Sequence, residues 1–220
     1  MSILHERGHF VLPWHKGLDY RCMEKDMSPP VRDKIEREAY RFAVEIMMPT
    51  EVFSDDVRNR ETSIDTIDYL GGFYQASLEA TSIRYAQVHP GYCAIMVVAP
   101  GEASKPTDMH MNQLFADAVK QTANIVNGDS QDNRRLMIKY FVRSTRFNRY
   151  FRPGTEIHDD NPVFQTWEAG ERIQTELRAS HFGSSSSQTY NAECMPLGRS
   201  GKLLVLLWHE DPEPRISFEC

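Results

Sequence analysis

Two histidines and two glutamates lie where their chemistry could meet. His5-Glu6-Arg7-Gly8-His9 opens the chain, and a second stretch, Ile35 to Pro49 (IEREAYRFAVEIMMP), carries Glu36 and Glu38. On an α-helix, residues i and i+4 share a face. His5 and His9 would then aim two imidazoles at one point, as ligands for Zn2+. Glu6 would stand beside them to take a proton from a water held there. HExxH fixes only three positions, so chance is the other reading of this stretch taken alone. A catalytic zinc also needs a third protein ligand and one open position. Ile35, Ala39, Phe42, Ala43 and Ile46 recur at helical spacing and mark a buried face. At about 100° per residue, Glu36 sits roughly 60° from the centre of that face and Glu38 roughly 100°. Glu36 is therefore better placed to point inward, where a carboxylate costs free energy unless paired or bound to metal. The alternative is a solvated boundary glutamate paired with a nearby arginine or lysine. His15 is a fallback ligand, or else a surface or packing histidine.

These residues need elements to hold them. Ser2 can cap the first helix and Pro13 would stop it. Pro29 and Pro30 place the start of the second helix near Val31, and Pro49 and Thr50 end it. Two further helices are predicted over Ser63–Phe73 and Ser77–Gln87, with Ser63 and Ser77 as caps. The Leu70–Ser77 segment between them reads like the hinge of a helix-turn-helix. The second of this pair offers Arg84 as its only cation, against Glu79, so its attraction for phosphate is poor.

HERGH followed by EREAYRFAVEIMMP closely resembles the ImmA/IrrE family of metallopeptidases, whose members pair HExxH with a helix of the pattern ExEAxxFAxxxLMP. The resemblance implies that His5, His9 and Glu36 bind zinc and that Glu6 is the catalytic glutamate. It implies an endopeptidase whose protein substrate is a Cro/CI-like helix-turn-helix transcriptional repressor, cleaved to induce stress-response or mobile-element genes. The later chain is similar to the IrrE branch, in which a helical segment precedes a GAF-like domain. Tyr40 stands where family members often carry asparagine. Family members also carry strands ahead of HExxH, whereas this sequence begins four residues before it, so the expectation is either a misplaced chain start or a peptidase core shortened at its amino terminus. A catalytically inactive regulatory or binding protein, a remnant of the peptidase, is the competing reading. A DNA-binding regulator using the helical pair and a basic stretch is the third.

The expected fold class is α+β. A mostly helical zincin-like core (1–60) is followed by a helix-turn-helix-like unit and strand (61–99). A linker with an amphipathic helix over Met111–Val126 comes next (100–135), then a small antiparallel GAF-like domain (136–220). Tyr92 to Val98 and Leu203 to Trp208 are apolar enough for buried strands. Leu136, Ile138, Tyr140 and Val142 alternate with Met137, Lys139, Phe141 and Arg143. Ile173, Thr175 and Leu177, then Tyr190, Ala192 and Cys194, continue the period of two. Asn161 to Glu168 reads as a short helix.

Composition bounds the function. The chain has 220 residues, 40% of them hydrophobic, enough for a packed core. Its net charge of −6 argues against bulk nucleic-acid binding. One local exception is basic: Arg134, Arg135, Lys139, Arg143, Arg146, Arg149 and Arg152 interleave with Tyr140, Phe141, Phe147, Tyr150 and Phe151. Such a stretch can stack on single strands, or its cations can simply face water. No signal peptide or membrane-spanning run is expected. Cys22, Cys93, Cys194 and Cys220 have no CxxC spacing, which suits free thiols in a reducing cytoplasm.

Overall fold

The apolar stretches from Tyr92 onward pair into one six-stranded antiparallel sheet, and the helices between Pro29 and Val88 lie on one of its faces. A computed structural model describes residues 2–15, 29–101, 135–198 and 201–209. The helices are α1 (Ser2–Val11), α2 (Pro29–Met47), α3 (Thr50–Arg58), α4 (Ile64–Phe73), α5 (Leu78–Val88) and α6 (Pro162–Ala169). A short 3-10 turn, Pro13–His15, follows α1. The strands are β1 (Tyr92–Pro100), β2 (Leu136–Arg143), β3 (Glu156–Ile157), β4 (Ile173–Arg178), β5 (Thr189–Leu197) and β6 (Lys202–His209). Their order across the sheet is β3-β2-β1-β6-β5-β4. The expected helix over Met111–Val126, like Cys22 and Cys220, lies outside the described residues.

β1 and β6 are neighbours at the centre, which explains their unbroken apolar runs: both faces are covered. Cys93, Ile95 and Val97 of β1 face the helices, together with Leu204 and Leu206 of β6. Ala94, Met96 and Val98 face a second core built from Phe147, Phe151, Val163, Phe182 and Tyr190. β1 directly follows the helical unit in the chain, yet its hydrogen bonds go to β2 and β6.

The serine caps form as expected. Ser63 accepts from the Thr66 amide at 3.1 Å and Ser77 from the Ala80 amide at 3.3 Å. Asn161 caps α6, and Gly170 ends it with φ of +67°. Two local expectations are corrected. The even alternation along β2 breaks: Leu136 and Ile138 face one core, but Tyr140 and Val142 face the other. The cause is a bulge, because Val97 pairs with Tyr140 while the next residue, Val98, pairs with Ile138. Lys139 is the extra residue, and it inverts the facing of everything after it. The buried face of α2 is also shifted. Ile46 is 51% exposed, whereas Tyr40, Val44 and Met48 join the sheet core. α3 adds a helix that the apolar spacing did not mark; Phe53 and Val57, one turn apart, bury its inner face.

The basic stretch does not present its aromatics. Tyr140, Phe141, Phe147 and Phe151 are buried, leaving Tyr150 exposed. Arg143 donates to the Phe147 carbonyl, and the Arg146 guanidinium lies over the Tyr92 ring. Stacking on bases by four of these five rings is therefore sterically closed. α5 is similarly enclosed, and Arg84 is engaged within the protein, donating to the Met48 carbonyl and to Glu45. No helix among the described residues is long and apolar enough to cross a membrane.

Candidate metal centre

The site forms where α1 crosses α2. α2 is held from two sides: Tyr40, Val44 and Met48 anchor it to the sheet core, and Ala39 meets α1. The contact point on α1 is Gly8. A Cβ there would lie 2.9 Å from the Ala39 carbonyl oxygen and 3.0 Å from its Cα. The glycine of HERGH therefore serves packing, since it lets two helix backbones close to a distance that any side chain would prevent.

That approach sets Glu36 opposite the two histidines. His5 Nε2 is 3.2 Å from one Glu36 carboxylate oxygen, and His9 Nε2 is 3.6 Å from the other. One ligand atom from each of the three residues can be chosen so that all lie within 4.8 Å of one another. The imidazole rings stand edge to face, with centroids 4.8 Å apart. His9 is buried, His5 is half-buried, and Glu36 is 45% exposed on its side chain. The cluster therefore has a wall and a mouth.

The charges follow from this placement. The hydrogen bond with Glu36 raises the pKa of His5 above the ordinary imidazole value, against the pull of burial. His9 is shifted the other way, because burial outweighs its attraction to the same carboxylate. Glu6 is on the solvent side of α1, 74% exposed, with an oxygen 3.6 Å from His5 Nδ1. Helix geometry places Ile3 and Phe10 to one side of Glu6 and the histidines to the other. Ile3 and Phe10 are both more than 70% exposed, at 72% and 74%.

The structure thus brings together His5, His9 and Glu36. Glu38, two residues on, is engaged elsewhere: it accepts hydrogen bonds from Trp14 Nε1 and from His15. These two bonds hold its carboxyl below the ordinary carboxylate range. His15 itself is fully buried against His9, outside the ligand set.

The donor set fits zinc. Ligand atoms about 2.0–2.1 Å from a tetrahedral ion lie roughly 3.3 Å apart; the two His–Glu36 separations, 3.2 and 3.6 Å, are close to that value, and all three ligand atoms lie within 4.8 Å of one another. Among the described residues, two imidazoles and one carboxylate make up the set, leaving the fourth position of a tetrahedral ion unfilled, as in zinc sites that keep an open position.

Residues 1–85 match the profile of the IrrE N-terminal-like domain. The chain carries an IrrE N-terminal-like domain. The match covers α1 to α4 and most of α5, so it includes both helices of the candidate site and the α4–α5 pair. The match agrees with the ImmA/IrrE resemblance of the two motifs. No curated protein matches the chain. The whole sheet, β1 to β6, lies beyond the IrrE N-terminal-like match.

Proposed function

We propose that this protein is a zinc-dependent endopeptidase of the ImmA/IrrE kind, with His5, His9 and Glu36 holding the ion. The supporting observation is the convergence of both Nε2 atoms on the two oxygens of Glu36. Zinc at such a site supplies Lewis-acid polarisation and lowers the pKa of water to about 7. Glu6 accepts the proton of the attacking water and returns it to the leaving amine. Its exposure gives it access to substrate, and one of its oxygens lies 3.6 Å from His5 Nδ1. The exposed Ile3 and Phe10 offer an apolar surface along which a polypeptide can lie next to that carboxylate.

The substrate we infer is a Cro/CI-like transcriptional repressor, whose cleavage would induce stress-response or mobile-element genes in the cytoplasm. The second half of the chain is read as a GAF-like sensory or pairing domain, on the strength of its antiparallel sheet flanked by helices. The deciding experiment uses Glu6→Gln. The variant should bind zinc as the parent does, yet cleave the repressor about 10²–10⁴-fold more slowly. Cleavage at the parental rate would reject the role given to Glu6. Absence of zinc from the purified parent protein, even after reconstitution, would favour the inactive regulatory reading instead.

A further inference from the structure

Behind His9 lies a polar cluster that the ligand set does not use. His15 is 1% exposed, and its ring packs on that of His9 with centroids 5.2 Å apart. Its Nε2 is 3.1 Å from a Glu38 oxygen. The same oxygen accepts from Trp14 Nε1, so Glu38 is tied down by two neighbours from the turn after α1. A carboxylate acts only as an acceptor. An acceptor facing Nε2 requires the His15 proton to sit there. In the neutral ring, Nδ1 is then a bare lone pair. That Nδ1 is buried, with no hydrogen-bond partner among the described residues.

A lone pair sealed from water inside a protein costs free energy unless a donor meets it. The polar ring packed closest to His15 is His9. His9 turns Nε2 toward Glu36, so its other nitrogen, Nδ1, is on the far side from the ligand cluster. A histidine that binds metal through Nε2 must carry its proton on Nδ1, and an acceptor there fixes the ring and makes Nε2 more basic. We propose that Glu38 and His15 are positioning residues for His9: the carboxylate sets the His15 tautomer, and His15 in turn sets that of His9 through one bridging water. Trp14 steadies the carboxylate from outside. The chain of influence is Glu38, His15, His9, ion. This rests on reading the cluster as a zinc centre, and it adds two residues that the HExxH pattern does not contain.

The test measures zinc affinity of the full chain by competition with a chromophoric chelator. His15→Phe keeps the packing volume but removes both nitrogens. Affinity should fall about 10–100-fold. His15→Gln, which can donate to Glu38 and still offer an oxygen, should recover most of the loss. Glu38→Met should weaken binding similarly, and the double variant with His15→Phe should be no worse than either alone, because the two act in series. Nitrogen-15 NMR of the imidazoles in the unmutated, zinc-loaded protein gives a second readout. It should find His15 protonated on Nε2 alone and His9 protonated on Nδ1. Affinities within about twofold of the parent, additive losses, or a His15 proton on Nδ1 would each overturn the proposal. If the parent takes up no zinc, both this inference and the functional reading fail. If the parent binds zinc and His15→Phe binds it equally, only the inference fails.

Discussion

At the scale of single residues, the centre depends on which carboxylate of α2 reaches the histidines. Glu36 and Glu38 are two positions apart, about 200° around the helix, so they cannot serve the same point. Glu36 meets His5 and His9, and Glu38 meets Trp14 and His15. Exchanging their roles is therefore impossible without rotating the helix. Glu36→Gln should weaken zinc binding by more than about 100-fold, beyond what a supporting residue costs. Equilibrium dialysis against zinc checks this, with circular dichroism to show that the helices persist. The two buried cysteines, Cys93 and Cys194, stand apart from this chemistry. Burial raises both thiols, Cys194 to about 12, which leaves them inert packing residues.

At the scale of elements, the crossing of α1 over α2 is the sensitive joint. Gly8→Val would drive a branched side chain into the Ala39 backbone, which cannot yield without separating the helices. The expected outcome is loss of zinc affinity with the sheet core intact, read as abolished zinc uptake alongside a thermal transition moved by only a few degrees. A second joint links α5 to β1. The Gly91 amide donates to His89 Nδ1 at 3.1 Å, and His89 Nε2 lies 3.0 Å from the Thr62 hydroxyl. An Nδ1 that accepts fixes the neutral ring, and burial depresses its pKa below the unfolded value of 6.5. On acidification the unfolded chain takes up this proton first. The contribution of His89 to stability is therefore complete above pH of about 6.5 and declines as pH drops from there toward the depressed folded value. Urea midpoints between neutral pH and pH of about 5 should fall more steeply for the parent than for His89→Gln.

At the scale of the whole molecule, the helices are joined to the sheet by one buried carboxylate as well as by apolar contact. Glu193 of β5 is 6% exposed, and its side chain caps α4 by accepting from the Ile64 amide at 2.7 Å. Arg172 spans Glu193 and Asp65, at 3.0 Å from the former, so a single guanidinium clamps the sheet edge to the helix start. Glu193→Ala strips a buried amide and the inner partner of Arg172, at a cost of about 1–3 kcal/mol. Asp65→Asn, at a side chain 77% exposed, should cost under about 0.5 kcal/mol. Thermal unfolding of the two variants distinguishes a clamp carried by Glu193 from one carried by the outer ion pair. Zinc affinity should respond little to either change, because α2 keeps its own anchorage through Tyr40, Val44 and Met48.

Much of this was written locally. Serine hydroxyls before apolar runs set the starts of α4 and α5, since a cap needs only its own amides three residues on. Unbroken apolar runs marked β1 and β6, because strands covered on both faces have no polar side to show. The i, i+4 spacing of His5 and His9 specified two converging imidazoles, and the helical position of Glu36 favoured it over Glu38. What the chain by itself could not settle depended on neighbours distant in sequence. The bulge at Lys139 reverses the facing of β2, and only pairing with β1 reveals it. The interleaved aromatics could have stacked on bases, but the two cores enclose four of the five, and only the tertiary packing shows it. Nothing in the sequence marks Gly8 as a packing position; only the fold sets it against Ala39. His15 could be read as a packing histidine or a spare ligand; the structure buries it and sets a Glu38 oxygen 3.1 Å from its Nε2, outside the ligand set. Local spacing decides which side chains share a face; the approach of a second backbone decides what that face touches, and the candidate metal centre belongs to the second kind of decision.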